Sequence, residues 1–274
     1  MIASVVILYH PKTEEVLDNI RSYSATVDKI LVWRNSSEEL CIPSDLREKV
    51  LLMGAGENEF MAKPLNAALD WCEQNGYDFL LTMDQDSKWE NAAHFIVRAT
   101  ALAEADVALY APYTIGQYAR PEQDYDAESV ITSGSLVNVK IAKRLGGFRE
   151  DYRIYWVDGE FCYWARKNGY RIRVLHDCAL IQQFGKQTRT LFGFTTSNYS
   201  PYIYYLLIRN MFWMRREFPE GVSIKTVLYT LFYNTRGILL GEKNKVRKIH
   251  SINKGIVHGL FSKYEARVSD PGAQ

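Results

Sequence analysis

Phe79-Leu80-Leu81-Thr82-Met83-Asp84-Gln85-Asp86-Ser87 is an apolar run that ends in two carboxylates one residue apart. A short continuous apolar run reads as a strand buried on both faces, which is the habit of parallel sheets covered by helices. Open α/β sheets place their ligands beyond the carboxyl ends of such strands. Two acids at that point suit a hard divalent cation, Mg²⁺ or Mn²⁺, because such ions take oxygen ligands and are commonly held by one or two carboxylates with substrate phosphates. The ligand implied is a diphosphate. The same residues also fit a turn, with Asp86-Ser87 starting a helix near Trp89.

Outward from this run the pattern alternates. Ser4–Tyr9 reads as a first strand ended by His10-Pro11, and Thr13 as the cap of a helix with Val16, Leu17, Ile20 and Tyr23 on one face. Asp28–Trp33 and Lys49–Met53 read as further strands, Ala62–Gln74 as a helix stopped by Asn75-Gly76, and Tyr77–Met83 as the strand that delivers the acids. A helix from Trp89 to Glu104 and a strand over Asp106–Tyr110 follow. This order predicts an α/β fold: a mixed, mainly parallel sheet with helices on both faces.

The second half differs in texture. Ser129–Val137 reads as two strand pieces around a Ser133-Gly134-Ser135 kink, where glycine lets backbone approach a ligand. Tyr155-Trp156-Val157-Asp158-Gly159-Glu160 places two acids where a loop turns into a helix. Either is a candidate general base, but an acid at such a position is commonly an N-cap, and for Asp158 taken alone the cap ranks first.

The chain has 274 residues, 47% hydrophobic and 24% charged, enough for a substantial core. Its four cysteines lack paired spacing, its five histidines are scattered, and it opens on a strand-like segment without a leader pattern, all of which point to a reduced, cytoplasmic protein without a His/Cys metal site. The net charge of +1 conceals an asymmetry: from Tyr205 onward there are 12 Lys and Arg against 5 Asp and Glu, leaving 21 against 27 in the remainder. A basic tail with interleaved aromatic and aliphatic residues predicts helices packed on the main domain, with peripheral contact to an anionic membrane as a further reading. It carries no recognisable motif for reading nucleic acid, so no nucleic-acid partner is expected.

In their order and spacing these segments resemble family 2 glycosyltransferases of the GT-A fold, in the bacterial rhamnosyltransferase-like branch. The matching residues are Val5–Pro11, Gly56-Glu57-Asn58, Leu65-Asn66-Ala67-Ala68, Asp84-Gln85-Asp86-Ser87, Ile131–Leu136, Gly147-Phe148 with Asp151, Asp158-Gly159-Glu160, Tyr204-Tyr205 with Arg209-Asn210, and Lys254-Gly255-Ile256 with Gly259-Leu260. The resemblance spans essentially the whole chain. It implies a GT-A domain over residues 1–200 and a basic helical extension over 201–274. It also implies inverting transfer of a sugar, rhamnose among the candidates, from a nucleotide diphosphate donor to a hydroxyl of a glycan or lipid-linked acceptor, for cell-surface polysaccharide assembly.

On that resemblance Asp86 ligates the cation, Asp84 faces the nucleotide sugar, and Asp158 is the general base. Tyr9, Arg34, Asn35, Asn66, Gln85, Ser133, Gly134 and Ser135 line the donor site, while Trp156 and Glu160 meet the acceptor. Three positions depart from the family pattern. Arg34 stands where relatives carry an Asp for the base, Asn58-Glu59-Phe60 replaces small residues, and Gln182 replaces a His that touches metal or diphosphate. Arg34 has only donors to offer and so suits carbonyl or phosphate oxygens. Gln182 can reach phosphate through its amide. These departures leave a non-catalytic nucleotide-sugar binding protein as the alternative. A sugar-1-phosphate nucleotidyltransferase fits less well, because Tyr9–Thr13 lacks the glycine-rich phosphate loop.

Overall fold

The computed structural model describes residues 1–115, 120–182, 188–189, 195–264 and 267. The chain forms two compact units, one of Met1–Arg153 with Val157–Gln183 and the other of Ile154–Trp156 with Phe184–Gln274.

The first unit opens with β1 (Ile2–Leu8), α1 (Thr13–Ser24), β2 (Lys29–Arg34), β3 (Val50–Met53), α2 (Ala62–Gln74) and β4 (Phe79–Asp84). The apolar runs behave as fully buried strands do: β1 and β4 are buried along nearly their whole length. They pair in parallel in the order β3-β2-β1-β4. α1 turns Val16, Leu17, Ile20 and Tyr23 into the core, the face its 3.6-residue period predicts. Thr13 is the first helical residue; Lys12 occupies the cap position and makes no side-chain cap bond.

Next come β5 (Ser87–Trp89), α3 (Ala92–Leu102), β6 (Val107–Ile115), β7 (Tyr125–Asp126), β8 (Ser135–Asn138), α4 (Val139–Arg144), a 3₁₀ turn over Glu150–Tyr152, α5 (Val157–Lys167) and β9 (Arg171–Gln182). Asp86-Ser87 does not start a helix. Ser87–Trp89 instead pairs antiparallel with the end of β9, and α3 begins three residues later, where the Asn91 side chain accepts from the His94 N–H. Trp89 stacks on Phe95 at 4.6 Å between ring centroids, so its bulk is held in the core. Ser129–Val137 likewise supplies one strand rather than two, β8 beginning at Ser135.

β8 runs antiparallel to both β4 and β6, whereas β6 and β9 are parallel. The sheet is therefore mixed, and its reversal falls beside β4, where the two acids emerge. α1 lies beside α3 and α2 beside α4, giving paired helices over the sheet.

The second unit contains β10 (Thr188–Arg189), β11 (Thr195–Thr196), α6 (Pro201–Glu217), α7 (Ile224–Gly241) and α8 (Lys245–Phe261). α6 and α8 approach closely because Gly255 and Gly259 present no Cβ: one added at Gly259 would lie 2.5 Å from Phe212 Cβ, and one at Gly255 2.9 Å from the Tyr205 carbonyl oxygen. Glu242 is buried among four donors. The Tyr204 hydroxyl (2.7 Å), Lys248 Nζ (2.7 Å), the Asn198 N–H (3.2 Å) and the Thr196 hydroxyl all reach it. No helix among the described residues is long and apolar enough to cross a membrane.

Candidate active site

The carboxyl end of β4 gathers three acids of the first unit. Asp84 ends the strand, Asp86 lies in the turn to β5, and Asp158 sits in the first turn of α5. Burial, followed by repulsion from Asp86 and Asp158, pushes the Asp84 carboxyl up to about 7. Gln182 pulls the other way, its Nε2 donating to Asp84 Oδ2 at 2.9 Å. Burial also raises Asp86, with a smaller contribution from Glu15. Asp158 is raised by burial and only partly relieved by the Gly159 N–H, which donates to its Oδ1 at 2.8 Å. That bond lies within the first helical turn, where the macrodipole favours negative charge. All three acids retain some exposed surface.

A network of small polar residues positions Asp84 from behind. Its backbone N–H donates to Ser133 Oγ at 3.0 Å, and the Ser133 hydroxyl donates to Ser87 Oγ at 2.8 Å; both serines are buried. Gly134 has φ +77° and donates its N–H to the Thr82 carbonyl at 2.7 Å. A Cβ there would stand 2.9 Å from Leu180 Cδ2 and 3.0 Å from Pro112 Cγ, so glycine is required both by conformation and by space. The Ser135 hydroxyl turns inward to the Ile131 carbonyl at 2.8 Å. The Ser133 and Ser87 hydroxyls thus brace the end of β4, while Ser135 is fully buried and has no surface to offer a donor. A cavity of about 250 Å³ nearby is lined by Ser129, Val130, Ile131, Ser133 and Asp158 together with residues of β6.

Gln85 and Tyr9 join the ends of β4 and β1. The Tyr9 N–H donates to Gln85 Oε1 at 2.8 Å and Gln85 Nε2 donates to the Tyr9 carbonyl at 3.0 Å, while the Tyr9 ring is exposed. Arg34 ends β2; its Nη2 donates to the Gly54 carbonyl at 3.0 Å and its Nε–H is buried without an acceptor. Asn35 is buried and spends its amide on the 58–60 loop, accepting from the Glu59 N–H at 2.7 Å and donating to the Phe60 carbonyl at 2.9 Å.

Two expected ligand contacts have other occupations. Asn66 pairs with the backbone of Phe148, accepting from its N–H at 2.7 Å and donating to its carbonyl at 2.8 Å, which ties α2 to the segment before α5. Glu160 is 0% exposed and interacts with the buried Arg149, so it has no surface to offer an acceptor. Trp156 packs with the second unit at φ +65°, its indole N–H buried without an acceptor.

The oxygen-rich end of β4 fits a divalent cation. Asp84 is driven toward its neutral form first by burial and then by the negative charge of Asp86 and Asp158, and bound positive charge relieves the second of these. Gln182 Oε1 is a buried acceptor without a donor. Carboxylate and amide oxygens are the donor set that Mg²⁺ and Mn²⁺ take.

Folding also assembles a cluster from histidines that are scattered in sequence. His94 Nε2 meets Asp177 Oδ2 at 2.9 Å, His176 Nδ1 meets Asp124 Oδ1 at 2.7 Å, and Cys178 lies beside Asp177. Arg98 bonds both aspartates, Asp124 at 2.7 Å, which makes this an ion-pair network. Although burial opposes it, Asp177 is held down at about 2 by hydrogen bonds from His94 and Arg98. The register shift between β6 and β9 after Pro112 bulges residues 176–178 out of the ladder, a feature that residue types did not signal.

No protein-family model matches the chain. The dTDP-rhamnosyl transferase RfbF of Shigella flexneri is 24% identical over 223 residues, covering 73% of this chain and 74% of its own. Among solved structures, S. aureus TarS residues 1–349 in complex with UDP-GlcNAc aligns with a TM-score of 0.61 at 15% identity, over 94% of this chain and 81% of that one. GalNAc-T7 with UDP, GalNAc and Mn²⁺ aligns with a TM-score of 0.60 at 9% identity, over 95% and 56%. The mannosyltransferase PcManGT of Pyrobaculum calidifontis, with GDP-Man and Mn²⁺, gives 0.55 at 15% identity, over 96% and 76%. The chain thus shares the GT-A fold of these glycosyltransferases, and in sequence it is similar to a rhamnosyl transferase.

Proposed function

We propose that the chain transfers rhamnose from dTDP-rhamnose to a hydroxyl of a glycan or lipid-linked acceptor, with inversion at the anomeric carbon. The convergence of Asp84, Asp86 and Asp158 at the end of β4 carries this reading. The similarity to RfbF supports the choice of donor. Asp158 accepts the proton of the acceptor hydroxyl as its oxygen attacks the anomeric carbon; the bond to the diphosphate breaks, and its electron pair leaves with the diphosphate. Burial raises the Asp158 carboxyl and so strengthens it as a base. Asp86 would hold the cation, and Asp84 would face the donor. When bound, the cation neutralises charge that builds on the departing diphosphate. Gln182 orients Asp84 through its amide, and the Arg34 guanidinium offers donors to a carbonyl oxygen of the base.

The test is transfer from dTDP-rhamnose with Mn²⁺ and with EDTA, using wild type and Asp158→Asn. Wild type is expected to turn over only with the cation. Asp158→Asn should lower kcat by about 10²–10⁴-fold with donor KM nearly unchanged. A large rise in donor KM with kcat preserved would reassign Asp158 to binding. Equal wild-type rates in Mn²⁺ and EDTA would remove the cation from the reaction.

A further inference from the structure

α7 turns the wrong side to solvent. Its inward face carries Val227, Asn234, Gly237 and Ile238, all buried. Its outward face carries Ile224, Leu228, Phe232 and Leu239, which fall in one line at 3.6 residues per turn and are 60%, 62%, 65% and 50% exposed. Tyr229 and Leu240 widen the stripe. A contiguous apolar patch of this kind marks an interaction surface, whereas scattered exposed leucines do not.

The charge around the stripe identifies its partner. From Ser223 to Tyr264 the sequence has one acidic residue, Glu242, and that carboxylate is buried against Lys248. The exposed charged groups of α7, α8 and their link are therefore all cationic, with Lys225 at one end of the stripe and Lys243, Lys245 and Arg247 at the other. A two-fold contact with a second copy would set this rim against itself. An anionic bilayer complements both features, taking the apolar side chains below its headgroups and the cations among its phosphates.

We propose that the outward face of α7 lies in the surface of an anionic phospholipid membrane. Ile224, Leu228, Phe232 and Leu239 enter the interface, and the cations at both ends meet the headgroups. This placement does not depend on the donor or on the reaction. The test is co-sedimentation of the full chain with vesicles of phosphatidylcholine alone or with 30% phosphatidylglycerol, a composition chosen to be about one-third anionic. The chain is expected to pellet with the anionic vesicles and to release at 0.5 M NaCl, a salt level chosen to shorten the screening length well below that at 0.1 M. L228E/F232E should weaken binding by at least about tenfold. Its Tm should be unchanged, because both side chains already face solvent. K243E/R247E should weaken binding to anionic vesicles through the headgroup contacts alone. Wild type that pellets with neither vesicle overturns the proposal, as does equal binding by L228E/F232E. So does a wild type that is dimeric in vesicle-free buffer while L228E/F232E is monomeric, which would give the face to a second copy.

Discussion

Asp84 shows how a residue legible in the sequence acquires its property only from its surroundings. Its position after an apolar strand was evident from residue types alone. Its displacement from 3.8 to about 7 comes from burial and from Asp86 and Asp158, the latter 74 residues away in sequence. The folded state therefore holds a proton that the unfolded state releases between these values. Stability at this residue is complete below about pH 4 and is lost as the pH rises through about 7. A displacement of this size carries on the order of 4 kcal/mol in full, which residual exposure and lost interactions reduce to about 2 kcal/mol. Asp84→Asn is accordingly expected to stabilise the protein by about 2 kcal/mol at pH 8 without cation, with the difference vanishing toward pH 4. Urea unfolding at the two pH values measures it; an advantage that persists undiminished at pH 4 would show that the gain is not electrostatic. Asn66 and Glu160 mark the opposite outcome, since their residue types suit a ligand but their hydrogen bonds and burial commit them to the scaffold.

At the scale of elements, periodicity located the helices and buried strands, and α2 begins and ends where its pattern predicted. It misplaced the segment after Asp86, because a three-residue strand is too short to show a period and is stabilised by β9, which lies about ninety residues further on. The close approach of α6 and α8 was likewise hidden: Gly255 and Gly259 are weak helix formers whose value appears only against Tyr205 and Phe212. Glu242 and Lys248 close the turn between α7 and α8 in a buried polar network. Burial opposes charge on Glu242, but Lys248, Thr196 and Tyr204 together lower its carboxyl, so its contribution is present above the ordinary glutamate range and fades as the pH falls through it. Lys248→Met removes the cation and leaves the carboxylate buried. A loss of about 3 kcal/mol is expected at pH 7, measured by urea unfolding, and a smaller loss at pH 4 as Glu242 protonates.

For the molecule as a whole, the sheet changes from parallel to antiparallel pairing at β4, the strand whose carboxyl end carries Asp84. A donor and cation that bind this native site raise the temperature of unfolding, by an amount equivalent to about 2.7 kcal/mol when the donor is at 100 times its Kd. A thermal shift with dTDP-rhamnose is expected with Mn²⁺ and not with EDTA, and UDP- and GDP-sugars tested alongside report how far Arg34 restricts the base. The amino-acid sequence by itself determined the α/β class, the strand that leads into Asp84 and Asp86, the helix that carries Asp158, and the basic character of the last quarter of the chain. These follow from local periodicity, turn chemistry and charge, which depend on neighbours a few residues away. Tertiary structure alone decided that the three acids converge, that Ser133 and Ser87 brace Asp84, that Gln182 reaches it, and that α7 faces outward with its apolar side. Those properties are pairings and burials between segments far apart in the chain, and only the packed sheet and helices bring them within hydrogen-bonding and Coulombic range.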